Sequence, residues 1–211
     1  MVLSSKEGIK NLLGQIPFTA ELYWLVRQRG KPIQSRFSLR HLQNAMPDLV
    51  AQAAALRQNA PAGKNVFIFA TLHYWIEHAA LLGLALASQG HKVTLGFLPY
   101  AEWQSPINRF DLRRQNYYAR KVLEVAAPVM ESVSLLNVRT NYKPMGEGMR
   151  DLVERVTVFD TQYTLQIEDV DPESEVYKLR WERNADAARA AQAWLSANRP
   201  DVVIVPNGTI Q

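Results

Sequence analysis

Apolar residues change their spacing along this chain, and the change divides it in two. From Ala20 to Arg29 they recur at helical intervals, and two more helices are predicted, one that Ser38 can cap and one over Asp48 to Gln58. Pro17, Gly30-Lys31-Pro32 and Pro47 punctuate them, and no strand is predicted before residue 60. After Pro61-Ala-Gly-Lys64 the run Asn65-Val-Phe-Ile-Phe-Ala70 is continuously apolar and rich in β-formers, the pattern of a strand covered on both faces.

The remainder alternates. Trp75 to Gln89 has helical spacing and ends at Gly90, a residue suited to the position just past a helix C-terminus. Lys92 to Leu98 is a second strand closed by Pro99, Leu112 to Ala127 a helix, and Glu131 to Val138 a third strand. Met149 to Gln166 reads as one long helix. Asp171-Pro172 marks another helix start, and Glu173 to Asn198 follows with Val176, Leu179, Trp194 and Leu195 as its expected buried residues; Asp201 to Val205 is a fourth strand. The expected fold is therefore α/β: a Rossmann-like parallel sheet of about four strands, order 3-2-1-4, flanked by helices. Residues 1–62 are expected as a helical N-terminal extension packed on it, and residues 63–211 as the α/β domain.

Composition narrows the classes. Of 211 residues, 47% are hydrophobic, and 10 Gly and 11 Pro are ordinary counts, so collagen-like, coiled-coil and disordered chains are excluded. No apolar run approaches a membrane span, the longest being Ala79 to Ala87, and the N-terminus lacks the plan of a signal peptide, so a soluble protein is expected. With 0 Cys, thiolate chemistry and disulfides are impossible, which fits a cytoplasmic protein. Charge is uneven: residues 1–64 hold nine Lys/Arg against three Asp/Glu, while the rest is slightly acidic. The basic cluster Arg27, Arg29, Lys31, Arg36 and Arg40 is interleaved with Tyr23, Trp24, Leu25, Phe37 and Leu39, which look like core contacts and not a stacking platform. Nucleic acid is not an expected partner. A solvated face, an interface or contact with an anionic membrane surface remain open.

In a sheet of this order, ligands bind beyond the carboxyl ends of the strands, where strand order reverses. That directs attention to Thr71–His78 and to Pro206–Gln211. The first turn contains no glycine to wrap a pyrophosphate, and the second strand ends in Leu98-Pro-Tyr100 without a ribose-binding acid, which disfavours nicotinamide and flavin cofactors. Walker and Gly-x-Ser-x-Gly sequences are also absent. His73 is left as a general-base candidate, with Glu77 to orient it, the alternative being that His73 caps the following helix or packs under the N-terminal helices. His78 lies about 140° around that helix from His73, so no metal site is expected. Tyr74, beside His73, is a substrate-binding candidate. Tyr100, Glu102 and Trp103 could stack on and bind a sugar, or Tyr100 and Trp103 could cover the sheet edge. Asn207, Gly208 and Thr209 could present amides to a ligand or simply build a turn.

The segment Leu84-Ala-Leu-Ala-Ser-Gln-Gly-His-Lys-Val-Thr-Leu95 resembles the first βαβ unit of glycosyltransferases with the GT-B fold, whose helix ends in a Gly-His-x-Val-Thr turn. The terminal Val-Pro-Asn-Gly is similar to their acceptor-side, N-terminal domain. The resemblance covers about residues 64–211. It implies transfer of a sugar from a nucleotide sugar to a saccharide, lipid-linked or other hydroxyl acceptor in polysaccharide biosynthesis. It further implies that His73 matches the histidine that deprotonates the acceptor in many inverting members, although the glycine usual beside that histidine is absent. The nucleotide sugar is expected in a C-terminal domain that these residues lack, with no cofactor in this chain. A non-catalytic Rossmann-like ligand-binding or regulatory module is the alternative.

Overall fold

The structure, a computed structural model, describes residues 5–29, 31, 36–138, 140 and 145–205, with side chains from residue 8 onward. The first strand, β1 (Asn65–Thr71), is central: it pairs in parallel with β2 (Lys92–Leu98) on one side and β4 (Val202–Ile204) on the other, and β2 pairs in parallel with β3 (Met130–Ser134). The order is 3-2-1-4, as the alternation of elements predicts.

Strand pleating sends alternate residues of β1 into two cores. Val66, Ile68 and Ala70 join the larger core with α3 (Arg40–Arg57), α4 (His73–Ser88) and α5 (Arg109–Glu124), whereas Phe67 and Phe69 face α7 (Glu175–Asn198). Gly96 in β2 is what accommodates Phe67. A Cβ at Gly96 would lie 2.4 Å from the Phe67 ring, which itself stacks on Trp194 at 4.2 Å between centroids. Gly90 has φ +92° just past α4, as the helix-stop reading requires, and a Cβ there would meet the Pro61 carbonyl.

Several boundaries differ from those the pattern predicts. Pro47 does not end a helix: α3 runs through it, because Leu42, Met46, Val50 and Ala53 form one buried stripe across the break. Ser38 does not cap α3 but bonds Tyr118, and the N-cap position belongs to Leu39. Ala20 to Arg29 is a short α2 (Thr19–Leu22) continued by a π-helical turn, Tyr23–Arg27. The third strand stops at Ser134, where Leu135–Asn137 winds into a 3₁₀ turn. Asp171-Pro172 is a turn, and Ser174 caps α7 by accepting from the Tyr177 N–H at 3.3 Å. Nor are Val176, Leu179, Trp194 and Leu195 the most buried residues of α7: Arg180, Arg183, Asn184, Ala185 and Ala190 are. Those polar side chains bond α6 (Glu147–Leu165) and the loop after β2, a tertiary satisfaction that hydrophobic periodicity does not register.

The N-terminal helices pack on the same side as α4 and α5. Trp24, Phe37 and Leu39 are buried, and the Leu39 N–H donates to the Tyr118 hydroxyl at 3.3 Å. Tyr23 and Leu25, expected as core contacts, are exposed instead.

Candidate functional site

The carboxyl end of β1 carries an unusual backbone. Leu72, between β1 and α4, has φ 62° and ψ 146°, a conformation that a γ-branched residue avoids at a cost of roughly 1–3 kcal/mol. Burial of the Leu72 side chain and the first α4 hydrogen bond, Ile76 N–H to the Leu72 carbonyl at 3.0 Å, hold it there. The kink starts the helix at His73 directly beside the strand end. Sequence gave no signal for it, since leucine is not a residue of positive φ.

His73 is half-buried. Phe37 approaches its ring edge-on at 6.4 Å and Tyr74 at 5.3 Å, and α4 has no side-chain cap, so His73 does not cap its own helix. Its Nδ1 is enclosed and has no hydrogen-bond partner among the described residues. Burial lowers the imidazole pKa below its ordinary value, outweighing the negative charge of Glu77, so the ring is neutral at neutral pH. Glu77 lies one turn on, but its Oε1 accepts the Leu42 N–H at 3.3 Å and so serves the uncapped start of α3. Its influence on His73 is through charge.

Because the folded pKa of His73 is depressed, the unfolded chain binds the extra proton first on acidification. The stability this group contributes is present in full above about pH 6.5 and is lost as pH falls through the folded value. His73→Gln is therefore expected to lose less melting temperature than the wild type between about pH 7 and pH 5. A steeper loss in the variant would show that the imidazolium is favoured in the fold.

The aromatic candidates after β2 are not open platforms. Tyr100 and Trp103 are each 7% exposed, and the Arg183 guanidinium lies 4.6 Å from the Tyr100 ring and 5.8 Å from Trp103. Arg183 also donates to the carbonyls of Glu102, Trp103 and Ser105 at 2.9, 3.1 and 2.7 Å, pinning the loop to α7. Tyr100 and Trp103 thus cover the sheet edge, with guanidinium where a sugar would stack. Glu102 is half-buried and pairs with Arg36. The neighbouring residues Arg36 and Phe37 therefore reach Glu102 and His73 respectively, tying the N-terminal segment to both loops at this end of the sheet. Tyr74 is exposed beside His73. Asn207, Gly208 and Thr209 lie outside the described residues.

Neither Phe37 nor Arg183 was legible as part of this region. Phe37 reads as an ordinary core residue, and the one available signal for Arg183 was its spacing of seven from the apolar Val176 on the inward face of α7. Elsewhere, His91 Nδ1 accepts from the Lys64 N–H at 3.0 Å, a structural role, and His41 and His78 are exposed. An apolar cavity of about 300 Å³ lies on the α7 side of the sheet, bounded by Phe67, Phe69, Val153, Val156, Leu195 and Val203, and none of the described residues lining it is titratable. Among the described residues no cluster of three or more His, Asp or Glu side chains is placed to hold a metal. No protein-family model, curated protein or solved structure matches the chain.

Proposed function

We propose that this chain is the acceptor-side domain of a glycosyltransferase, with His73 as the base for an acceptor hydroxyl. The carrying observation is a half-buried histidine at the carboxyl end of the central strand, beside the reversal of strand order, with the exposed Tyr74 next to it. An acceptor hydroxyl meeting the imidazole would be deprotonated as its oxygen forms the new bond to the sugar, while the nucleoside diphosphate departs with the electron pair of the bond it breaks. Tyr74 is the exposed group beside this position, and Glu77 favours the imidazolium that forms. The acceptor is a saccharide or a lipid-linked hydroxyl. The nucleotide sugar belongs to a domain outside these residues, and the protein works in the cytoplasm at the inner face of a membrane. No described strand end offers a glycine-rich phosphate cradle.

Two measurements test this. The full-length protein, given a panel of nucleotide sugars and hydroxyl acceptors, is expected to release nucleoside diphosphate. The 211-residue chain is expected to bind none of those nucleotide sugars in calorimetry; a micromolar Kd, about −8 kcal/mol, would identify it as the donor-binding half instead. The second reading, a ligand-binding module without chemistry, is favoured by the apolar cavity beside α7 and gains ground if neither release nor acceptor binding occurs.

A further inference from the structure

The N-terminal helices are turned inside out. In α1 (Ser5–Gln15) and the residue after it, Ile9, Leu12, Leu13 and Ile16 occupy positions i, i+3, i+4 and i+7, an apolar stripe that ordinarily faces a core. Here the stripe faces solvent, with Leu12 63% exposed. The side of α1 that meets the protein is polar or bare. Lys10 pairs with Asp111 at 2.8 Å, and Gly14 sits so close to α5 that a Cβ would lie 2.6 Å from the Phe110 nitrogen. Arg113 donates to the carbonyls of Gly14 and Ile16 at 3.1 and 2.6 Å, and pairs with Glu21 at 2.6 Å.

The next segment repeats the arrangement. Ala20 and Trp24 are buried, while Phe18, Leu22, Leu25 and Val26 face outward, Phe18 at 71% and Val26 at 74% exposure. Phe18 has φ 64°, an unfavourable conformation for an aromatic residue, and it leaves the ring projecting. Apolar side chains on this scale on a protein surface mark a contact site. The chain that follows is cationic: Arg27, Arg29, Lys31 and Arg40 are exposed, and Arg36 pairs with Glu102. Between residues 8 and 47 the chain holds a single acid, Glu21, which is turned inward onto Arg113.

We infer that α1, α2 and the π-helical turn form an interfacial docking surface for an anionic lipid bilayer. The outward stripe, from Ile9 to Val26, enters the headgroup and acyl boundary while the cations that follow it engage lipid phosphates. The charge argues for lipid and against a second copy of the chain, because a self-complementary interface here would bring two cation-rich rims together, and the acids beside them, Asp111, Glu102 and Glu21, are already paired with Lys10, Arg36 and Arg113. No described helix is long and apolar enough to cross a membrane, so the contact is peripheral.

This deepens the membrane-side placement in the proposed function, yet vesicle binding requires no sugar, acceptor or turnover. A failed transferase assay leaves it standing, and a failed flotation leaves the transferase reading standing. The full-length protein is expected to float with vesicles of phosphatidylcholine and phosphatidylglycerol, and about tenfold less with phosphatidylcholine alone or at high salt. Leu12→Asp with Val26→Asp, both at exposed positions, is expected to lower partitioning about tenfold or more at an unchanged melting temperature. Arg27→Glu with Arg29→Glu is expected to abolish the preference for the anionic vesicles. Equal binding to both vesicle types, no binding to either, or a dimer in sedimentation that Val26→Asp dissolves without any flotation of the wild type would each overturn the inference.

Discussion

Replacing His73 by alanine in the full-length protein is expected to lower the rate of sugar transfer by about 10² to 10⁴, the usual effect of removing a general base. The geometry separates this from a stability effect. His73 is half-buried against Phe37, does not cap α4, and keeps its Nδ1 without a partner, so the fold gives up little hydrogen bonding when the ring is lost. His73→Gln, which keeps most of the volume and the polarity but has no basic nitrogen, is expected to be as inactive as His73→Ala and closer to the wild type in melting temperature. The pH dependence gives a second readout. A base whose pKa lies below the ordinary 6.5 is already neutral at pH 7, so the wild-type rate is expected to be flat around neutrality and to fall only on the acid side. If turnover in His73→Ala survives within a few-fold while the melting temperature drops, His73 is structural. The base would then be sought at Glu102, which sits on the other loop tied down by Arg36 and Phe37, or the transfer would proceed with retention and need no such base.

Asp160→Ala is expected to destabilise the protein by about 3–5 kcal/mol, or about 6–20 °C in Tm for a chain of this size. Arg180 and Asp160 join α7 to α6 through an Nη2 to Oδ1 contact of 2.5 Å, with side chains 0% and 2% exposed, and Thr164 Oγ1 accepts from the same Nη2 at 2.7 Å. Removing the carboxylate strands a guanidinium that water does not reach. Substituting both partners together, Asp160→Leu with Arg180→Met, is expected to recover most of the loss, because a well-packed apolar pair avoids the desolvation that the charged pair carries. Thermal melts of the single and double variants check this. A single-variant loss below about 1 kcal/mol would mean that water or Thr164 replaces Asp160 as the partner.

What the chain's pattern determined by itself is the sheet and its order. Val66 to Ala70 is apolar throughout and Val93 to Leu98 nearly so, the first preceded by Pro61-Ala-Gly63 and the second lying between Gly90 and Pro99, and right-handed crossovers leave few ways to join such strands. Gly90 announced its helix end because few residues other than glycine accept a φ of +92°. His73 could be placed at the strand end for the same local reason.

Everything that depends on a partner distant in sequence was decided by tertiary structure. The α3 helix passes through Pro47 because its buried stripe outweighs one missing hydrogen bond, and Glu77 serves α3, a helix 20 residues or more before it, as much as His73. Arg180, Arg183 and Asn184 are core residues of α7 only because Asp160, the loop after β2 and Thr157 meet them there. Tyr100 and Trp103 fit a sugar platform in sequence and a guanidinium stack in space. The N-terminal stripe shows the limit most directly. Periodicity reveals that Ile9, Leu12, Leu13 and Ile16 share a face, yet which way the face turns is fixed by Asp111, Arg113 and the close approach of Gly14 to α5, about a hundred residues away. Periodicity records what a helix can bury; the polar contacts on its other side decide whether it buries it against the protein.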